Sequence, residues 1–148
     1  MYQSQSFYGF AFFNGGFMKT LNIAEFESIM TTRLLARRDW QTGGFREEYD
    51  IEELQKMAIW LANDIFKELS YTDLYVRKTG AHVFIFYQPN RRILGEIVMD
   101  GIYSGKKVRQ PSFKVSARHG LIGPNETFGE IIKSVASLPR FKKSKGGK

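Results

Sequence analysis

A chain of 148 residues, 43% hydrophobic and carrying 13 Phe, 7 Tyr and 2 Trp, has apolar material for one well-buried core and hence for one domain. Zero cysteines exclude disulfides, thiolate metal sites and cysteine nucleophiles, and 2 histidines leave little for a His-rich metal centre; this usage fits a reducing, cytoplasmic setting. The net charge of +7 is split, because residues 1–76 hold 7 Lys or Arg against 11 Asp or Glu, a net of −4, while residues 77–148 hold 15 against 4, a net of +11.

The first seventeen residues, MYQSQSFYGFAFFNGGF, are aromatic and uncharged and end in an Asn-Gly-Gly turn signal, so a strand is expected at Phe7 to Phe13. They lack the basic start of a signal peptide, and Met18 opens a stretch that reads as a start of its own. An uncharged aromatic strand edge is also a template for self-association. Asn22 with Glu25 has capping-box spacing, and Ile23, Phe26, Met30 and Leu34 share one face, which predicts a helix over 22–38. The connector DWQTGGFREEYD follows. Asp50 is then expected to cap a second helix whose apolar positions Ile51, Leu54, Ala58, Leu61, Ile65 and Leu69 recur three and four apart.

After Tyr71 the period becomes alternating. TDLYVRK, AHVFIFYQ and RRILGEIVMDG read as three strands, the latter two joined through Pro89 and Asn90. The middle one is apolar on both faces, with Val83 and Ile85 on one and Phe84 and Phe86 on the other. A fourth strand is expected at about 112–117, with Phe113 and Val115 inward on alternate positions if local bulging allows, at a sheet edge or beginning after Pro111, which has no N–H to donate. Thr127 and Glu130 repeat the capping-box spacing before a short helix over 128–138. The expectation is a single α+β domain over 1–139. An antiparallel sheet of about four to five strands packs against two main helices plus a short C-terminal helix, and a basic, disordered tail follows over 140–148.

The stretch GKKVRQPSFKVSARHG, residues 105–120, contains cations and a histidine but no acid. Lys106, Lys107, Arg109, Lys114 and Arg118, with Arg91 and Arg92 on the preceding turn, form one basic surface if the strands pair as read; Lys142, Lys143 and Lys145 extend it into the tail. Tyr87, Tyr103 and Phe113 are candidates for stacking on unpaired bases. The leading expectation is a non-enzymatic nucleic-acid-binding protein of bacterial or phage type, preferring RNA or single-stranded DNA to duplex DNA and needing no membrane or cofactor.

Two other functions stay open. One is a metal-independent ribonuclease using His119, Arg118 and Glu126, with His82 and Glu96 as further acid–base material; His82, within an apolar strand, is expected to be a buried structural histidine. The order of two helices followed by a basic sheet resembles small bacterial ribonuclease toxins in topology alone. The other is a protein-interaction module whose acidic helices dock a host or self partner. Residues 8–15, YGFAFFNG, resemble part of the RNP1 pattern of RNA-recognition motifs through Gly9, Phe10, Ala11 and Phe12. Tyr8, Phe13 and Gly15 depart from it, and no family is assigned. There is no Walker loop, nucleophile elbow or paired metal-ligand cluster, although Glu96 and Asp100 would suit a metal if they converged.

Overall fold

The computed structural model describes residues 21–36, 47–117 and 126–140. Three helices, α1 (Ile23–Leu35), α2 (Ile51–Glu68) and α3 (Phe128–Ala136), cover one face of a five-stranded antiparallel sheet. The strands are β1 (Glu48–Asp50), β2 (Leu74–Thr79), β3 (His82–Tyr87), β4 (Arg92–Ser104) and β5 (Lys107–Ala117), in the order β1-β5-β4-β3-β2. The sheet curls into a half-barrel, and the chain forms an α+β single domain. The strand expected at Phe7 to Phe13 and the tail from 141 lie outside the described residues.

Both capping boxes form, Asn22 with Glu25 and Thr127 with Glu130. They stand side by side, because Asn22 and Thr127 make an antiparallel bridge in which Phe128 N–H donates to the Leu21 carbonyl (2.9 Å) and Ile23 N–H to the Glu126 carbonyl (3.0 Å). Two helix starts distant in sequence therefore satisfy each other's backbone. Beneath this bridge the rings of Phe26, Phe66, Tyr71 and Phe128 form the centre of the core. Phe128 meets Phe26 and Phe66 edge-to-face with centroids 5.1 and 5.4 Å away. Burial raises the Tyr71 phenol well above its ordinary value, with a smaller push from Glu25 and a partial offset from the backbone at Leu21.

Helix side chains close the exposed edges of the sheet. β1 reaches only Lys107 to Arg109, so β5 beyond it is an edge. There Phe113 N–H donates to Thr31 Oγ1 (2.9 Å) and Val115 N–H to Glu27 Oε2 (2.7 Å), both from α1. The match is geometric: four residues of helix and two residues of strand each advance roughly 6–7 Å. At the other edge, Asn63 of α2 accepts from Val76 N–H (2.9 Å) and donates to the Val76 carbonyl (3.2 Å). Such covering removes a template for edge-to-edge pairing.

Some sequence expectations need correction. β5 begins at Lys107, not 112, and runs through Pro111, which β1 does not reach. Asp50 stands at the N-cap of α2 without making a capping hydrogen bond; its carboxylate instead pairs with Lys107 Nζ at 2.9 Å. β1 lies in what reads as connector, since three residues carry no periodicity and Tyr49 is strand only because it pairs with Val108. His82 is not buried: its side chain is 58% exposed. It points to the face that none of the described helices covers, the helix-free face, as alternation along β3 requires once Val83 and Ile85 point inward.

β4 is irregular twice. An extra residue between Ile93 and Gly95 puts Leu94 in the core while Ile93 and Glu96 stay on the helix-free face. The second irregularity sets Gly101 (φ +151) against Gln110 (φ 51) and Pro111, and a Cβ on Gly101 would lie 2.7 Å from Val108 Cγ1 and 2.9 Å from the Arg109 carbonyl oxygen. Gly101→Ala is therefore expected to cost about 1–3 kcal/mol, read as a lower urea midpoint at unchanged slope. A midpoint equal to that of the parent would show that the bulge relaxes freely.

Candidate nucleic-acid interface

Among the described residues, the cations singled out in the sequence divide into two groups. β4 is 13 residues long, a contour of roughly 40 Å. Arg91 and Arg92 sit at its start, whereas Lys106, Lys107 and Arg109 sit beyond its end. The two groups lie at opposite ends of the sheet, not on neighbouring parts of it.

The far end is also neutralised from within. Glu48 stands opposite Arg109 and Asp50 opposite Lys107 in the β1–β5 register. An open cleft of about 410 Å³ is lined by Asp50, Ile51, Glu52, Glu53, Lys56 and Lys106. The acidic start of α2, favoured there by the helix dipole, thus lies beside the basic hairpin. Folding places the acids of the N-terminal half against cations of the C-terminal half. Lys114 is exposed on the helix-free face opposite Val98, on a strand that also sets Ser116 against Glu96 and Ser112 against Asp100.

The near end is different. Asn90, buried in the β3–β4 turn, donates through Nδ2 to the Val135 carbonyl (2.7 Å) and the Leu138 carbonyl (3.2 Å), and its Oδ1 accepts from Arg92 N–H (3.0 Å). One amide therefore fastens the turn to the C-terminal end of α3. It also occupies carbonyls whose partial negative charge would oppose an anion. Arg91, exposed at φ 60, flanks this junction; Arg140 follows Leu138 by two residues and leads into the tail that holds Lys142, Lys143 and Lys145. Asp73, whose carbonyl accepts Gln88 N–H, brings one acid to the same end. Arg92 is half-buried, and its Nε is shielded without an acceptor among the described residues.

The stacking candidates divide. Phe113 is 1% exposed in the core and has no face to offer a base, because it alternates inward with Val115. Tyr87 is half-buried against the core on the helix side. Tyr103 is 48% exposed; its hydroxyl donates to the Met99 carbonyl (2.6 Å) and titrates above the ordinary tyrosine value, through desolvation first and the Asp100 charge second. Sequence reading passed over Tyr75, Phe84 and Phe86. These lie on the helix-free face, and the alternation of Phe84 and Phe86 with Val83 and Ile85 was the available signal.

Arg118, His119, Lys142, Lys143 and Lys145 lie outside the described residues. Glu126 precedes α3 and serves the bridge through its carbonyl. His82 and Glu96 do come together, with Nδ1 and Oε2 2.7 Å apart on the helix-free face. Glu96 and Asp100 are four residues apart on one strand, a separation of roughly 13 Å that does not suit a shared metal ion. No group of three or more potential metal ligands occurs among the described residues, and no described helix is long and apolar enough to cross a membrane. Comparison with known proteins finds no family model, no curated protein and no solved structure that matches this chain.

Proposed function

We propose that this protein binds nucleic acid, RNA or single-stranded DNA in preference to duplex DNA. The binding region is the corner where the β3–β4 turn meets the end of α3, together with the Lys-rich tail. The observation that carries the reading is the Asn90 junction, which fastens the turn carrying exposed Arg91 to the Leu138 carbonyl, two residues before exposed Arg140, while the opposite hairpin is matched by acids. Clustered cations facing solvent gain affinity for a phosphate backbone by releasing its counterions; cations already paired in the fold gain little.

Anisotropy titrations of labelled single-stranded RNA, single-stranded DNA and duplex DNA across a salt series test this directly. Four to six phosphate contacts predict a log–log salt slope of about −3 to −4 on single strands. Absence of binding at low salt would remove the reading. The same samples on a denaturing gel examine the ribonuclease alternative, which the His82–Glu96 contact favours: a carboxylate at Nδ1 can orient the ring so that Nε2 takes a proton. Intact strands after prolonged incubation dismiss it, whereas cleavage that disappears in His82→Ala would establish it.

A further inference from the structure

The helix-free face carries a run of rings. Tyr75 and Phe86, opposite each other in the β2–β3 register, stack with centroids 5.1 Å apart and planes 9° from parallel. Phe86 meets Phe84 edge-to-face at 6.2 Å, and Phe84 stacks on His82 at 5.5 Å and 15°. Arg77, exposed and opposite Phe84, lies on the same face. The helices pack on the other side, around a cluster that includes none of these rings, although Phe84 is itself buried.

This run leads into the basic corner. Phe86 is opposite Ile93; the adjoining register pair, Tyr87 with Arg92, turns to the helix side, and exposed Arg91 follows in the turn at the end of the run. Charges on the face are mixed, since Glu96 and Asp100 accompany Arg77 and Lys114, so the face suits bases better than phosphates. Both rings are half-buried; Phe86 lies between Tyr75 and Ile93, while Tyr75 belongs to the edge strand β2, so no further described strand stands beside the side of its ring turned away from Phe86.

We infer that the Tyr75–Phe86 pair is a stacking platform for unpaired bases of a single strand whose phosphates run over the Arg91–Arg140 corner. This inference rests on the nucleic-acid reading and adds to it the ligand class and the surface that selects it. Base–aromatic stacking tolerates any sequence because every base has a π-face, and a duplex, with its bases already stacked, cannot use it.

The test compares the parent with a Tyr75→Leu, Phe86→Leu double variant, which keeps apolar strand residues and removes both π-faces. Affinity for a single-stranded oligonucleotide should fall about 10- to 100-fold, while duplex affinity and the salt slope stay unchanged. An equal loss for single strand and duplex, or none for either, would overturn the platform while leaving the basic corner standing. Loss of all binding in the parent would remove the corner reading as well. Should the variant fail to fold, photo-crosslinking of a 4-thiouridine oligonucleotide to the intact protein decides: adducts on Tyr75 or Phe86 support the platform, and adducts confined to other residues overturn it. A change in sedimentation without a change in single-strand affinity would assign the face to a second copy of the chain, and protection of Tyr75 from crosslinking that is lifted by deleting residues 1–17 would assign it to the chain's own aromatic segment. Both outcomes overturn the inference.

Discussion

Reversing two charges at the corner, Arg91→Glu with Arg140→Glu, is expected to lower affinity for single-stranded RNA about 100-fold at low salt. Each lost phosphate contact, with repulsion added, is assigned about tenfold, or about 1.4 kcal/mol. The salt slope should flatten by about 1.4, from two phosphates at ~0.7 each on a single strand. Both residues are exposed, and glutamate meets the same backbone strain as arginine at the φ of 60 of Arg91, so stability should move by less than about 0.5 kcal/mol. Arg92 is left out because its buried Nε would mix folding with binding. The paired control is Lys106→Ala with Arg109→Ala at the opposite end, where acids already surround the cations; it should change affinity by less than about threefold. A larger loss from the control than from the corner would move the interface to the β4–β5 hairpin.

Phe128→Ala is expected to cost about 3–5 kcal/mol, a large part of the roughly 5–15 kcal/mol that holds a domain of this kind. The ring is 1% exposed, makes edge-to-face contact with Phe26, Phe66 and Tyr71, and anchors the start of a nine-residue helix that would not persist in isolation. Since α3 carries the Val135 and Leu138 carbonyls that Asn90 holds, its loosening should also weaken RNA binding at temperatures well below global melting. Urea unfolding followed by tryptophan fluorescence and by far-ultraviolet dichroism reads both effects. A midpoint within experimental error of the parent would show that α3 lies outside the cooperative unit, and the corner would then lack its support.

The described helices were legible because each has a strong local signature. Two capping boxes and the spacing of Ile23, Phe26, Met30 and Leu34 are short-range patterns that survive into the fold. The three strands from Leu74 to Ser104 were legible for the same reason, through alternation and the Pro89-Asn90 turn. β1 was not, nor was the continuation of β5 through Pro111, because both depend on what the partner strand supplies. The site was less legible than the fold. Arg91, Arg92 and the hairpin cations are close in sequence but separated by the length of β4, whereas the turn before Arg91 and the segment before Arg140 are distant in sequence and joined by one buried amide, Asn90 to the Leu138 carbonyl.

The sequence by itself determined the fold class, the helix starts, the inward positions of the core and the division of charge into acidic and basic halves. These follow from local backbone propensity and from hydrophobic periodicity, which act over a few residues. Only the tertiary structure decided which charges cancel and which remain. Asp50 turned from an expected cap into the partner of Lys107, and the acids of β1 and α2 came to lie beside the β4–β5 hairpin. Tertiary structure likewise decided which face of the sheet the described helices cover, and so left Tyr75 and Phe86 on the other. The physical reason is that a charge or a ring acquires its role from its neighbours across strands and helices, and those neighbours are set by register and packing over long sequence separations.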